Sequence, residues 1–447
     1  MKKEIANWGN YPVMKSDEHS FTYLQDMLDY VPSADGWIAR GNGRCYGDAS
    51  LSPNTINTTK FDKILSFDAE KGVFECQSGV MLDRVLEVIV PKGWFLPVTP
   101  GTKFITVGGA VASDVHGKNH HVDGSFSHHI MEMDILLSDG ALLTCTPDEH
   151  ADLFEATCGG MGLTGLITRV KFDLKKIETS YIRQKQIKAD NLEEMLRLFD
   201  EYSHFTYSVA WIDCLKKGEH FGRGILMFGE HATVAELNDR QKQDPLRLPA
   251  KKQISFPFNL PSWALNKLTV KAFNRVYYAK NMRKVIDNVV NYEPFFYPLD
   301  VVLHWNRGYG KKGFVQYQFV LPPDRKDGLI SIMKRINERG MGSFLSVFKL
   351  FGKQDSMIGF PMEGYTLALD FPIRDGLFEF MNELDEMVLQ YGGRIYMSKD
   401  ARMQPGTLQA GYKRLPQFLS VIRKYDPQGR IRSVQSDRLL LTKPSTN

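Results

Sequence analysis

Cysteine is scarce in this chain. Five occur among 447 residues (Cys45, Cys76, Cys145, Cys158 and Cys214), an odd set with no CxxC pair. That excludes a disulfide scaffold and a Cys-rich zinc site, and it suits a reducing compartment. Long apolar runs are missing as well. No stretch approaches the roughly 18 residues of a spanning helix, and the N-terminal MKKEIANWGNYPV holds no apolar run of signal-peptide length. A soluble protein made in the cytoplasm is the expectation. Charge of one sign is lacking too: 56 Lys+Arg against 52 Asp+Glu leave +4, so no global field argues for nucleic acid. With 43% hydrophobic and 24% charged residues the chain is not disordered, and its length predicts two or three domains.

Short β-rich runs alternate with Gly-rich turns over residues 37–175. Val73 to Gln77 reads as a strand. Leu82, Val85, Leu86, Ile89 and Val90 then line one helical face, stopped by Pro91 and Gly93. Trp94 to Val98, Ile130 to Leu137 and Leu166 to Leu174 read as strands, with a helix around Ala151 to Thr157. After about residue 178 the texture changes. Helices are expected over Leu192 to Tyr202, along Leu329, Ile332, Met333 and Ile336 before Gly340, and from a cap at Asp375 through Leu377 and Tyr391 to Gly392. Aromatic-rich strands are expected at 314–320, 344–351 and 365–371. The fold class is therefore α+β. The organisation reads as a first domain over 1–179, a second over 180–393 on an antiparallel sheet with helices, and a segment 394–447 returning to the first.

Two Gly-rich stretches invite a nucleotide reading. Arg40 to Asp48 (RGNGRCYGD) misses GxGxxG by one residue, whereas Gly160 to Gly165 matches it. A Rossmann fingerprint must follow a strand and open a helix. Here the helix precedes the glycines and the strand follows them, so an NAD-type reading fails on context. Neither stretch is a Walker A sequence. Five separate Gly-rich loops remain, at 41–47, 101–102, 108–109, 117 and 159–165. They suggest backbone N–H groups held close to something flat or anionic; a turn-rich domain without a ligand is the alternative.

Five of the 11 histidines fall within His116–His129. There is no HExxH, and Gly117 weakens a helix there, so histidines lining a polar pocket are preferred over a metal site. Gln316 and Gln318 alternate along one strand face, and Lys349 shares a face with Val347 and Phe351. Three polar groups on core strands suggest the wall of a polar cavity. Lys399 follows another expected strand. Elsewhere, Pro245 to Ile286 carries nine Lys/Arg and no Asp or Glu, interleaved with Phe256, Phe258, Trp263, Phe273, Tyr277 and Tyr278. Two readings stand: a solvated loop with one basic helix, or a docking surface for anionic lipid or a phosphorylated ligand.

The combination resembles a known family. ITVGGAVASDVHGKNHH (105–121) with Asp123 to Phe126 is similar to the FAD-binding domain of the vanillyl-alcohol-oxidase (PCMH) type. More narrowly, the chain resembles the decaprenyl-phosphoryl-ribose oxidases, the flavoprotein halves of a two-enzyme 2′-epimerase that makes an arabinose donor. The likeness extends over Trp8 to Pro12, Cys158 to Gly165, Tyr207 to Cys214, Phe348 to Gly352, Asp370 to Leu377 and Gly392 to Arg402. It implies FAD contacts from Ala39, Arg40, Gly41, Asn42, Gly43, Arg44, Cys45, Tyr46, Gly47, Asp48 and Ala49. It implies others from Gly101, Thr106, Val107, Gly108, Gly109, Ser113, Asp114, Val115, His116, Ile167 and Tyr396. Lys399, Tyr46 and His116 would be catalytic, and Lys118, Gln316, Gln318, Lys349, Tyr297 and Thr366 would bind substrate. Many relatives bond flavin through a loop histidine; Arg44-Cys45 stands there, so the FAD is expected to be non-covalent.

The implied reaction is oxidation of a ribose 2′-hydroxyl on a polyprenyl-phosphoryl sugar, with an NADH-dependent short-chain reductase as partner and peripheral membrane contact through 245–286. An aldonolactone or alditol oxidase on the same fold, or a flavin-binding scaffold without turnover, are the other readings. Mycobacterial members carry a cysteine where Ala368 stands and an amide where Thr366 stands, which alters the pocket wall.

Overall fold

The computed structural model describes residues 2–249, 253–261, 264–343 and 345–442. Of the stretches named above, Lys251 and Lys252 of the basic segment 245–286, its Trp263, and Phe344 of the strand expected at 344–351 lie outside the described residues.

Three sheets organise the chain. The first is mixed and four-stranded, in the order Lys3–Ile5, Met14–Ser20, Asn54–Asn57 and Trp37–Arg40. The second is antiparallel and five-stranded, in the order Ile64–Asp68, Val73–Gln77, Leu166–Asp173, Ile130–Leu136 and Leu142–Cys145. Leu82–Ile89 turns its expected face inward, with Leu82, Val85, Leu86 and Ile89 all buried. At about 1.5–3 kcal/mol per buried aliphatic side chain, that stripe holds the helix far more firmly than its intrinsic propensity. Gly93 ends the following turn at φ 79.

An eight-stranded antiparallel sheet occupies the second half. Its order is Val285–Asn291, Tyr181–Ala189, Gly224–His231, Tyr207–Ile212, Ser346–Phe351, Gly364–Pro372, Phe314–Leu321 and Arg394–Ile395. Helices Lys326–Arg339 and Leu377–Gln390 bury one apolar face each (Leu329, Ile332, Met333 and Ile336; Leu377, Phe380, Leu384 and Val388). From that helical layer Asp385 accepts a hydrogen bond from the Tyr317 hydroxyl at 3.0 Å, so the odd-numbered residues of Phe314–Leu321 face the helices. The even-numbered ones face the other way, toward the FAD-loop elements.

Residues after 394 pack against the first sheet and helix Ala151–Thr157. Ile431 bridges Trp37, Arg414 pairs with Glu155, and Lys424 pairs with Asp152.

Two local expectations need correction. Asp375 does not cap Leu377–Gln390: Gly376 takes the N-cap at φ 75, in the left-handed region where glycine is favoured, and no side chain caps it. The strand expected from Trp94 to Val98 spans only Trp94–Phe95. Pro97 has no N–H to donate to a ladder, and the chain leaves there for the turns around Gly101.

Candidate active site

Register builds one wall of the site. Gln316 pairs with Asp370, Gln318 with Ala368, Val347 with Ala368, and Lys349 with Thr366. Paired residues share a sheet face, so Gln316, Gln318, Thr366, Ala368, Asp370 and Lys349 project together. The period-two reading of the glutamines and Lys349 therefore holds. Asp370 was not singled out, although the alternation Thr366, Ala368, Asp370 was available to find it.

His116 comes from the facing layer. The Gln318 side-chain nitrogen lies 3.1 Å from His116 Nε2 and 3.2 Å from the Thr366 hydroxyl, which itself donates to the Phe319 carbonyl at 2.8 Å. An amide donor makes Nε2 the acceptor, so Nδ1 carries the ring proton; it is buried with no protein partner. Burial first, then Lys349, His120 and Lys399, hold His116 well below its usual range, so the ring is neutral. Phe351, Phe360 and Tyr396 surround it at ring distances of 4.7, 5.7 and 5.3 Å.

Lys399 closes the opposite side. Its ammonium sits 3.8 Å above the centre of the Tyr46 ring. The Tyr46 N–H donates to the Ser398 carbonyl at 3.0 Å, which locks the Tyr46 loop to the turn Met397–Lys399. Arg438 ties the same two segments by bonding Asp48 at 2.8 and 2.9 Å and Asp400 at 2.9 Å. The Lys399 and Lys349 ammonium groups make no hydrogen bond or ion pair with any described residue. Burial lowers Lys399 to about 7, partly offset by the charge of Asp370, and lowers Lys349 to about 8. Lys118 falls to about 7 through burial and Lys349, while it donates to the carbonyls of Phe295 at 2.8 Å and Phe296 at 3.3 Å. Tyr297 is buried, but its hydroxyl meets Thr99 at 2.7 Å rather than this group.

The Gly-rich loops meet beside these residues. A Cβ on Gly41 would lie 2.3 Å from the Thr106 hydroxyl, and one on Gly47 would lie 1.7 Å from the Asp400 carbonyl. Thr106 caps Val107–Ala112 by accepting from the Gly109 N–H. Backbone N–H groups of Asn42, Gly43, Arg44 and Cys45 donate to no described protein group, the Ser78 hydroxyl beside Gly108 is buried without a partner, and a Cβ on Gly101 would meet nothing within 4 Å. These donors fit an elongated polar group with phosphates and a flat ring system, as FAD is. Ile167 is buried, and Tyr396 is fixed by its hydroxyl donating to the Ser113 carbonyl at 2.7 Å.

Several expected contact residues have side chains engaged with other parts of the protein. Arg40 bonds Ala6 and Asn7, Asp48 is held by Arg438, and Asp114 accepts from Ser125 and Gln354. Arg44 lies 3.9 Å from the Trp8 ring, and Cys45 bonds Ser50 at 3.3 Å. The histidine cluster scatters: His120 meets Gln354, His121 the Phe205 carbonyl, and His129 Asp173. A groove of about 610 Å³ lined by Glu193, Lys217, Lys334 and Glu338 lies apart, beside helices Leu192–Glu201 and Lys326–Arg339.

Comparison with known proteins decides the family. Residues 24–146 match an FAD-binding domain family. Over 412 residues the chain is 38% identical to the decaprenylphosphoryl-beta-D-ribose oxidase of Mycolicibacterium smegmatis, covering 91% of this chain and 89% of that protein. The chain belongs to the decaprenylphosphoryl-beta-D-ribose oxidase family. It is an FAD-dependent oxidoreductase of α+β fold. An uncharacterised protein of Streptomyces coelicolor is 31% identical over 80% of this chain and 100% of its own. Similarity to a putative D-arabinono-1,4-lactone oxidase of Neurospora crassa (30% identity) covers only 26% of this chain and 21% of that protein.

Proposed function

We propose that this enzyme oxidises the ribose 2′-hydroxyl of a polyprenyl-phosphoryl-ribose to the 2-keto sugar. The observation that carries this reading is the convergence of Lys399, Lys349 and Lys118 with Gln316, Gln318 and neutral His116 around one polar pocket beside the Gly-rich loops. The near end-to-end likeness to the ribose oxidase supports the sugar lipid over a lactone or polyol. FAD, held non-covalently by backbone of the 39–49 loop, Gly101 and the 106–116 turns and helix with Ile167 and Tyr396, supplies the hydride acceptor when bound.

The residues divide the remaining work. Oxidising a secondary alcohol removes a hydride from carbon and a proton from oxygen. Lys399 takes that proton: at a value about 7, a substantial fraction is neutral at physiological pH and able to act as a base. Tyr46, kept neutral by burial and then by the charge of Asp370, faces the lysine with its ring. Lys118 and Lys349 hold the sugar and its phosphate, with Gln316, Gln318 and Thr366 shaping the pocket. Residues 1–179 with the segment from 394 make the cofactor domain, and 180–393 the substrate domain. The keto product calls for an NADH-dependent short-chain reductase.

Membrane contact belongs to the same reading. No helix among the described residues is long and apolar enough to cross a bilayer. Lys267–Lys280, however, buries only Val270 and Asn274 and exposes Leu268, Phe273 and Val276 beside Lys267, Lys271 and Arg275; Ile254, Phe258 and Met282 are exposed nearby. Basic and apolar side chains together suit an anionic lipid surface at the cytoplasmic face. Neutralising Lys267 and Lys271 should weaken binding to anionic vesicles at low salt, and equal binding removes the docking role.

An anaerobic titration with short-chain polyprenyl-phosphoryl-ribose tests the whole. The yellow flavin band should bleach. A yellow protein that ignores the lipid and bleaches with an aldonolactone or polyol overturns the substrate assignment.

A further inference from the structure

Asp370 is a buried carboxylate in the wall whose charge acts on Lys399 and Tyr46 but whose part in the reaction is not yet assigned. The residue is 1% exposed, and its carboxylate and backbone N–H together have three partners. Gln316 donates to Oδ1 at 2.5 Å, the Tyr309 hydroxyl donates to Oδ2 at 3.0 Å, and its own N–H donates to the Ser343 hydroxyl at 3.0 Å. The Tyr309 ring is fixed in turn by stacking on Phe314 at 4.0 Å. Elsewhere in the chain the buried carboxylate of Asp385 meets Arg402. Among the described residues Asp370 has no such salt bridge; the cation whose charge acts on it is Lys399, whose ammonium pairs with no described carboxylate.

A small cavity of about 50 Å³ touches it, lined also by Asn266, Lys267, Tyr309 and Arg374. That volume is enough for a water or two.

We propose that Asp370 is a positioning residue for the oxidation: its carboxylate fixes the Gln316 carboxamide beside the Tyr46 hydroxyl and supplies the negative charge that Lys399 faces. The groups around the pair are few. Lys399 faces Asp370, Lys349 and Cys45, with the Tyr46 ring beneath it, and its charge reaches His116. Asp370 faces Gln316, Tyr309, Tyr46 and Lys399, with Lys267 and Arg374 across the cavity. Burial lifts Asp370 to about 7, and its two donors and Lys399 oppose that rise. Both groups therefore change charge near neutrality. The inference rests on the oxidase reading through the role of Lys399.

Holoenzyme carrying Asp370→Asn tests it by two readouts. One is the pH dependence of anaerobic bleaching by the sugar lipid; the other is the pH titration of the resting flavin band without substrate. Losing the negative charge makes the lysine harder to protonate, so both midpoints should move to lower pH by about one unit or more. Tyr309→Phe keeps the ring stack and removes one donor that favours the carboxylate. It should move both midpoints the same way by less, and it carries the test should Asp370→Asn fail to fold. Midpoints within about 0.3 of a pH unit of the parent in FAD-replete variants overturn the proposal. A parent protein that never bleaches with the lipid removes the oxidase reading instead, and the resting-band midpoints then decide the role of Asp370 alone.

Discussion

Gly47→Ala puts the meeting of the Tyr46 loop and the Lys399 turn to a quantitative test. A Cβ at this position would lie 1.7 Å from the Asp400 carbonyl oxygen and 2.9 Å from the Ala401 Cα, where real contacts do not fall under 3.0 Å. Both opposing atoms are backbone, so one segment must retreat by more than about 1 Å. Neither is free to do so alone. Asn7 donates to the Gly47 carbonyl at 2.8 Å, Tyr46 donates to Ser398, and Arg438 grips Asp48 and Asp400 together. The strain should cost about 1–3 kcal/mol of stability. A misplacement of that size between Lys399 and the substrate should slow flavin bleaching by about 100-fold. FAD content, urea midpoint and the anaerobic bleaching rate measure the three consequences. Gly406→Ala, whose Cβ meets nothing within 4 Å inside helix Pro405–Gly411, is the control and should be neutral or slightly stabilising. A Gly47→Ala protein with full FAD, the parental urea midpoint and a bleaching rate within about threefold of the parent would refute the reasoning.

Other consequences are as open to measurement. Lys399→Ala should abolish bleaching by the sugar lipid while FAD stays bound, and unchanged activity removes the lysine from the mechanism. Arg402→Met should cost about 3–5 kcal/mol in urea unfolding, because it strands buried Asp385, which now accepts at 2.5 and 2.6 Å. His231 packs among Phe95, Tyr207 and Phe296, and burial holds it down to about 3. The unfolded chain takes up that proton near 6.5 while the folded one refuses it, so this stability is whole above that pH and shrinks as pH falls toward 3. His231→Phe should flatten the slope between roughly pH 6.5 and 4 by up to about 1.4 kcal/mol per pH unit; an identical slope contradicts it.

Local pattern made much of the fold legible. The stripe of Leu82–Ile89 and the alternation of Gln316 and Gln318 are fixed by helical and strand periods, and both stand in the structure as read. What the sequence could not supply was pairing across distance. Tyr46 and Lys399 are far apart in the chain, and only the return of the C-terminal segment to the first sheet brings them within 3.8 Å. Asp370 escaped because its meaning depends on strand register: it becomes part of the wall only when Gly364–Pro372 lies beside Phe314–Leu321 in the observed pairing. The Asp375 cap failed for a simpler reason, since the adjacent glycine could adopt the left-handed turn that an aspartate disfavours.

Ala368 decides how the pocket would respond to electrophiles. It stands between Gln318 and Val347 on the wall that carries Lys349. No sulfur stands at that point of the wall, and the five native thiols are poor nucleophiles: burial raises all of them, and four are fully enclosed. A compound that arms itself on reduced flavin and then seeks a thiol would find none at Ala368. The same quiet background makes Ala368→Cys a selective handle, a single sulfur in a cationic pocket where a fluorophore or spin label could report on the site from within.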